Sequence, residues 1–425
     1  MAIRASAAAI EITPPEAVPL AGFAGEKRVS TGVRDPLYAS AIHLRGGSGG
    51  LIIVSLDLHT LTPLFARLIR QQIYDATGVA HAKILVGTTQ THSGPVVTRD
   101  YAHFNEACYA EPDEAYMEYV ASRAVEAAGE AAVASQPAAM AAVSLGKPNT
   151  GALLVKDLKS NRIASAIVVY DAIPNMLGPE NMQLSSDVVE PLRRRLTSKF
   201  GGSPVIAYLA APTGDQRLES PVTQGSEDAM NQAGKGIADM IVSGVRRLTA
   251  DDFRSDISFD ARLEEIWDLP LKALPSALDA TIELDDATAK VRLALTGDDE
   301  LGKLIARWHL NDMRGQLGLV SAREAGLYVQ LTEEYRSTDI QMMRLGGTRL
   351  LCVPAALLSD CVQALAKHVD TPLLVAECLS GDMLGSILVA PQSEEAGVSL
   401  MSPLFHSSAG EPIAALAHEL LEENA

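Results

Sequence analysis

A chain of 425 residues with 47% apolar, 21% charged and only 4% aromatic residues can bury a real core, which excludes a disordered protein and leaves few stacking platforms for bases or sugars. Its formal net charge of −18 excludes a surface built for nucleic acid or an anionic membrane. Four cysteines, Cys108, Cys352, Cys361 and Cys378, lack Cys-x-x-Cys spacing, and no long apolar run or signal-type segment occurs, so the expectation is a cytoplasmic protein without zinc ribbon, disulfide framework or membrane anchor.

Strand and helix signals then alternate along the chain. The Gly-rich "RGGSGG" at 45–50 precedes a β-branched run at 51–58 and reads as a hairpin turn, since it leads into a strand rather than a helix. A helix-period stretch at 63–76 and a strand at 83–88 follow. Residues 113–134 keep Tyr116, Val120, Ala124, Ala127 and Ala131 on one helical face, with Pro112 at the head. Next come a strand at 162–170, a helix at 186–199, a strand at 204–210 and a helix at 227–248. That rhythm predicts an α/β fold with a mixed, largely parallel β-sheet core flanked by helices.

Residues 251–312 carry more charge and poorer periodicity, consistent with a small excursion. Beyond them, 339–354 reads as a β-hairpin turning through Gly346 and Gly347, 355–368 as a helix, 372–379 as the last strand and 412–423 as a closing helix. No internal repeat or low-complexity linker interrupts the chain, so one unit spanning 1–425 is expected.

Chemistry concentrates at "ILVGTTQTHSGP", residues 84–95, where a buried strand delivers His92 into a loop at its end. His59, directly after the strand at 51–58, is a second imidazole at a neighbouring strand end and is placed to face His92. Taken with Asp57 and Ser93, these residues supply the types that acyl transfer uses: carboxylate, imidazole and nucleophile. His92 is otherwise a histidine hydrogen-bonded at a loop start, and Ser93 before Gly-Pro a turn residue. His103, Glu106 and Cys108 cluster in the following segment, a composition common in solvated loops and lids.

Read together, "AAIEITPPEAVPLAGFAG", "GVRDPLYASAIHLRGG", "LIIVSLDL", "QTHSGP", "NMLGPENMQLSSD", "YLAAPTGDQ" and "MRLGGTRLLCVPAALLSD" occur in an order that resembles the catalytic domain of the neutral/alkaline, non-lysosomal ceramidases. That resemblance spans nearly the whole chain and implies a ceramidase-like fold, without the C-terminal immunoglobulin-like domain of the long members. It also implies zinc-dependent amide hydrolysis, with two histidines, a glutamate and a tyrosine holding the ion and a zinc-bound water attacking the amide carbon. Aligned on those motifs, the four positions read differently here. The first histidine falls on Gln90, the second on Ile173 and the glutamate on Ala356, while the late loop at 381–400 holds no tyrosine, Tyr335 being the last in the chain. Gln is a poor zinc ligand, and Ile and Ala cannot coordinate.

The surrounding frame survives: Thr91, His92, Ser93, Gly94, Pro95, Asp57, Gly214 and Asp215. The resemblance implies that His92 lies beside the metal and assists the reaction, and Asp215 reads as a structural loop carboxylate. The expectation is therefore a protein without the family zinc site, no cofactor being expected unless a displaced ion uses His59, His92, Asp57 or Asp187. Its function is then that of a non-catalytic subunit paired with an active paralogue or with itself. Alternatively it is a hydrolase of a small soluble amide, ester or lactone acting through a rearranged site around His92, His59 and Asp57, or a small-molecule binder reusing the old pocket.

Overall fold

Alternation of side chains between two faces dictates the architecture, because each strand feeds one apolar set into a shared central core and the other into a layer of helices. The computed structural model describes residues 2–23, 27–47, 49–99, 104, 109–212, 225–298, 300–357, 359–367, 369–377, 386–389, 398–402 and 404–422. The strands of the first half are β1 (Arg4–Glu11), β2 (Gly32–Val33), β3 (Tyr38–Gly46), β4 (Gly49–Leu56), β5 (Ile84–Thr88), β6 (Gln136–Ser144), β7 (Gly151–Asp157), β8 (Arg162–Tyr170), β9 (Gln183–Leu184) and β10 (Val205–Ala210). Those of the second half are β11 (Phe259–Ile266), β12 (Thr338–Leu345), β13 (Thr348–Cys352), β14 (Ala356–Leu357), β15 (Leu373–Ala376), β16 (Ser386–Val389) and β17 (Val398–Met401).

The larger sheet has the order β10-β8-β7-β6-β1-β3-β4-β5. It is mixed, but parallel pairing is confined to β4–β5 and β8–β10, and the other neighbours run antiparallel. The expectation of a largely parallel sheet is thus corrected. Strands β1 and β6 are alanine-rich and lack the β-branched signature of the strands that the sequence reveals, so the hairpins they join went unread. Strands β1 and β6 share only the register pairs Arg4↔Pro137 and Ala5↔Gln136. The sheet folds back at that joint, and the Ser55 hydroxyl of β4 donates to the Tyr208 carbonyl of β10 at 2.6 Å.

The second sheet, β11-β12-β13-β15, packs onto the first through a common core that includes Ile53, Leu85, Ile167, Leu209, Phe259 and Leu350. A short three-stranded sheet, β14-β16-β17, follows. Two expectations change here. The strand at 372–379 is not the last, and the helix expected over 355–368 shortens because Ala356–Leu357 pairs with β16 before a helix starts at Ser359.

Helices cover the outer faces: α1 (Pro63–Thr77), α2 (Glu114–Val133), α3 (Val189–Phe200), α4 (Glu227–Val245), α5 (Ala277–Ala294), α6 (Glu300–Glu324), α7 (Tyr328–Glu333), α8 (Ser359–Ala366) and α9 (Gly410–Glu422). Local rules set their ends. Thr62 caps α1 by accepting from Phe65 N at 3.1 Å, with Pro63 in the first turn, and Gly78 closes it at φ 70°. Helices α1 and α2 bury Ile69, Ile73, Val120 and Ala124 against β3, β4 and β5, and α3 and α4 bury Leu192, Leu196, Ile237 and Ile241 against β7, β8 and β10. The span at 251–312 contains β11, which is integral to the second sheet, and most of a helical hairpin formed by α5 and α6.

The outer edge of β5 is capped at its first residue by polar side chains. Gln341 Nε2 donates to the carbonyls of Ala82 (3.0 Å) and Ile84 (3.1 Å), and Arg70 Nε reaches Ile84 O at 3.3 Å. Arg67 and Arg70 of α1 in turn grip Asp339 of β12 at 2.6 and 2.7 Å, in a setting where Arg70 is 3% and Asp339 4% exposed.

Candidate functional site

Four strand ends converge on one spot. Thr89 N donates to Leu56 O, Glu377 N to Ala210 O, and Gln90 Nε2 to Glu377 O at 2.8 Å, which ties together the C-terminal ends of β4, β5, β10 and β15. Gln90 itself adopts φ 62°, the left-handed conformation a non-glycine residue enters only when its surroundings hold it there. The signature loop leaves from this point. Its Thr91 hydroxyl donates to Ser185 O at 2.7 Å and accepts from Ser93 N at 3.2 Å, and Ser185 N returns a bond to Ser93 O at 3.0 Å.

The structure brings His59 and His92 together. Their Nε2 atoms stand 3.3 Å apart and the rings meet edge to face, with centroids 4.6 Å apart and an interplanar angle of 83°. One nitrogen must carry a proton and the other a lone pair for that contact to be a hydrogen bond. The His92 backbone is fixed on both sides, its N donating to Pro174 O at 2.9 Å and its O accepting from Arg28 Nη1 at 2.8 Å. Phe23 packs edge-on against the His92 ring at 5.0 Å, and the Arg28 guanidinium lies 4.9 Å from the Phe23 ring centre. Arg28 also donates to Ala21 O and Asn181 O. Gly22, at φ 109°, makes this approach available, since a Cβ there would lie 2.5 Å from His92 Cβ.

Asp57 is bound into the scaffold by an arginine. Both its oxygens are taken by Arg193, at 2.6 and 3.0 Å, and Oδ2 also accepts from Tyr38 N at 2.9 Å. Burial opposes the Arg193 charge, but the Asp57 carboxylate beside it more than offsets this and raises the guanidinium pKa. The Ser93 hydroxyl accepts from Asn181 Nδ2 at 2.9 Å and thereby joins the loop frame. Asp187, also left-handed at φ 54°, spends its oxygens on Leu177 N (2.9 Å) and Val188 N (2.8 Å). Its burial nevertheless pushes its pKa up to about 6, against the backbone hydrogen bonds that favour the carboxylate. The hydrogen bonds of Asp57 and Asp187 thus run to Arg193 and to backbone N–H groups. Gly94 packs where a Cβ would meet Asp57 O at 3.2 Å, so the turn needs its small size.

Ile173 is 9% exposed, and its neighbour Pro174 supplies the carbonyl that holds His92. Ala356 is fully buried in β14. Among the described residues, no group of three or more His, Cys, Asp and Glu side chains is placed to hold a metal ion. Gly214, Asp215, His103, Glu106, Cys108 and Cys378, and most of the late loop at 381–400, lie outside the described residues. Phe23, Arg28, Asn181 and the fully buried Glu377 belong to the site but escaped the sequence reading. Phe23 and Asn181 fall inside motifs quoted above, "AAIEITPPEAVPLAGFAG" and "NMLGPENMQLSSD", whereas Arg28 and Glu377 fall outside every one of them.

No family model and no curated protein matches the chain. Solved structures do. A ceramidase complexed with C2 matches with a TM-score of 0.71 at 15% identity, over 100% of this chain and 75% of that one. The neutral ceramidase from Pseudomonas aeruginosa matches with a TM-score of 0.68 at 15% identity, over 100% of this chain and 74% of that one. The fold is that of the neutral ceramidases. Large mixed sheets flanked by helices are therefore the ceramidase-like scaffold, and the converging strand ends are where this ceramidase-like fold gathers its loops. No helix among the described residues is long and apolar enough to cross a membrane.

Proposed function

We propose that this chain is a ceramidase-fold protein that does not carry out the family's zinc hydrolysis and acts as a non-catalytic subunit paired with an active paralogue. The observation that carries the reading is the chemistry at the aligned ligand positions. Gln90 directs its amide N–H₂ to the Glu377 carbonyl, and Ile173 and Ala356 present only alkyl groups. A divalent ion set among them would lose its hydration with too few lone pairs in return, a cost of several kcal/mol as an order of magnitude. The residues present do not fit zinc at that place. A displaced ion fits no better among the described residues, because the oxygens of Asp57 and Asp187 are engaged by Arg193 and backbone N–H groups, and two histidines fall short of the three protein ligands zinc uses.

The test is co-expression with a ceramidase-fold paralogue that keeps both histidines, the glutamate and the tyrosine. The two chains are expected to co-purify, with metal measured by mass spectrometry only in the paralogue's share. A chain that stays alone, or that carries stoichiometric zinc by itself, overturns the reading.

The contact between His59 and His92 favours a second reading, hydrolysis of a small soluble amide, ester or lactone with His92 as general base and His59 as the group that orients it. Asp57 then serves the scaffold. Turnover by the isolated chain that vanishes in His92→Ala supports this alternative, and full activity in that variant excludes it.

A further inference from the structure

The hairpin of α5 and α6 has one face too many. On α5, Ala280, Leu284, Ala287, Val291 and Ala294 recur every three or four residues, and this stripe, with Ala280 and Ala287 buried, is the one that packs within the molecule. On the opposite side Leu278, Ile282 and Leu293 are 70%, 57% and 74% exposed, and Ala289 between them is exposed too. Single exposed apolar residues are ordinary; four aligned along one side of a helix are not.

The spacing of that outer stripe reads the same in both directions. Ile282 follows Leu278 by one helical turn, Leu293 follows Ala289 by the same interval, and the midpoint falls between Asp285 and Asp286. A two-fold axis there lays Leu278 against Leu293 of a second copy and the large Ile282 against the small Ala289, the self-complementarity an isologous interface requires. Charge agrees with the antiparallel direction. The first half of α5 carries Asp279 and Glu283 and the last turns carry Lys290 and Arg292, so antiparallel pairing brings Asp279 of one copy to Lys290 of the other. Parallel pairing would oppose like charges. Asp286 is already neutralised by its own Lys290 at 2.6 Å, which leaves Asp285 as the unfavourable group near the axis.

We propose that α5 pairs with α5 of a second copy of this chain in an antiparallel two-fold dimer. This inference does not rest on the subunit reading above. One helix of this length is about 27 Å long, and a contact of that extent falls below the roughly 800 Å² per partner of a standard interface, so the dimer is reversible with micromolar affinity.

Sedimentation velocity on the full chain across about 1–100 μM tests it, with circular dichroism as the check on folding. The wild type is expected to pass from monomer to dimer, Ile282→Asp to weaken the dimer about a hundredfold, and Asp285→Asn to tighten it several-fold. Asp279→Lys should weaken it and the added Lys290→Glu restore it. An Asp285→Cys variant should form an intermolecular disulfide above the wild-type background, whereas Leu278→Cys should not. A monomer at every concentration, a dimer indifferent to Ile282→Asp, cross-linking at 278 as readily as at 285, or association with a paralogue alone would each overturn the proposal.

Discussion

Removing the Asp57 carboxylate probes the frame on which the signature loop sits. Asp57 is fully buried and the Arg193 side chain is 12% exposed, so the pair is held in a poorly solvated setting by bonds of 2.6 and 3.0 Å. In Asp57→Ala the guanidinium keeps its charge but loses its counter-ion, which costs about 3–5 kcal/mol for a buried pair broken on one side. The Tyr38 N–H, which donates to Asp57 at 2.9 Å, is stranded as well, so the loss belongs at the upper end of that range. Against a total of about 5–15 kcal/mol the variant still folds, with its urea midpoint well below that of the wild type. Arg193→Met and Asp57→Leu, each measured alone and then together, close a double-mutant cycle. The apolar pair should lie closer to the wild type than Asp57→Ala does, with a coupling energy of about 2 kcal/mol or more. A loss below about 1 kcal/mol in Asp57→Ala would mean that the pair is effectively solvated, and the structural role assigned to it would be wrong.

Asp187 holds its proton in the folded state to about pH 6 against 3.8 for the ordinary carboxyl, so its contribution to stability is greatest below pH 4 and is lost as pH rises through 6. That difference is worth roughly 3 kcal/mol, and Asp187→Asn, which tolerates the left-handed backbone, should gain on the wild type by about this amount between pH 4 and pH 6 in urea titrations. Gly22→Ala should lose about 2 kcal/mol or more, from the strained backbone and the contact with His92, and should shift the His92 ring resonances in NMR spectra. Asp339→Ala, which leaves the buried Arg70 without its counter-ion, should cost about 3–5 kcal/mol by denaturant unfolding, whereas Lys290→Ala on the exposed α5 should cost under about 1 kcal/mol.

Much of this fold was legible where residue types are decisive. The β-branched run before Asp57 became β4, the strand before Gln90 became β5, and the Gly346–Gly347 hairpin turns with Gly346 at φ 65°. Alanine defeated the reading elsewhere. "RASAAAIE" and "QPAAMAAVS" are strands only because the sheet pairs them, against alanine's own preference for helix over strand. At the site, His59 and His92 were found because each follows a recognisable strand. The residues around them were hidden by distance along the chain. Arg28 donates to carbonyls 64 and 153 positions away, and Gln90 bonds a residue 287 positions away. Nothing in the local sequence around Asp57 announces Arg193, 136 residues downstream, so a carboxylate beside a histidine was read as a chemical couple when it is a structural anchor.

The polar cap on β5 has a consequence for biosynthesis. The Gln341 amide that covers the Ile84 carbonyl is 257 residues further along the chain, and at about 5–20 residues per second the ribosome needs roughly 13–50 s to deliver it. Until then the outer edge of β5, "ILVGT", paired only with β4 and with nothing charged in it, stands open to any other nascent chain that can add a strand. Slowing translation beyond residue 88 should therefore cost yield more than slowing it before residue 84, and a co-expressed chaperone that shields strand edges should restore it.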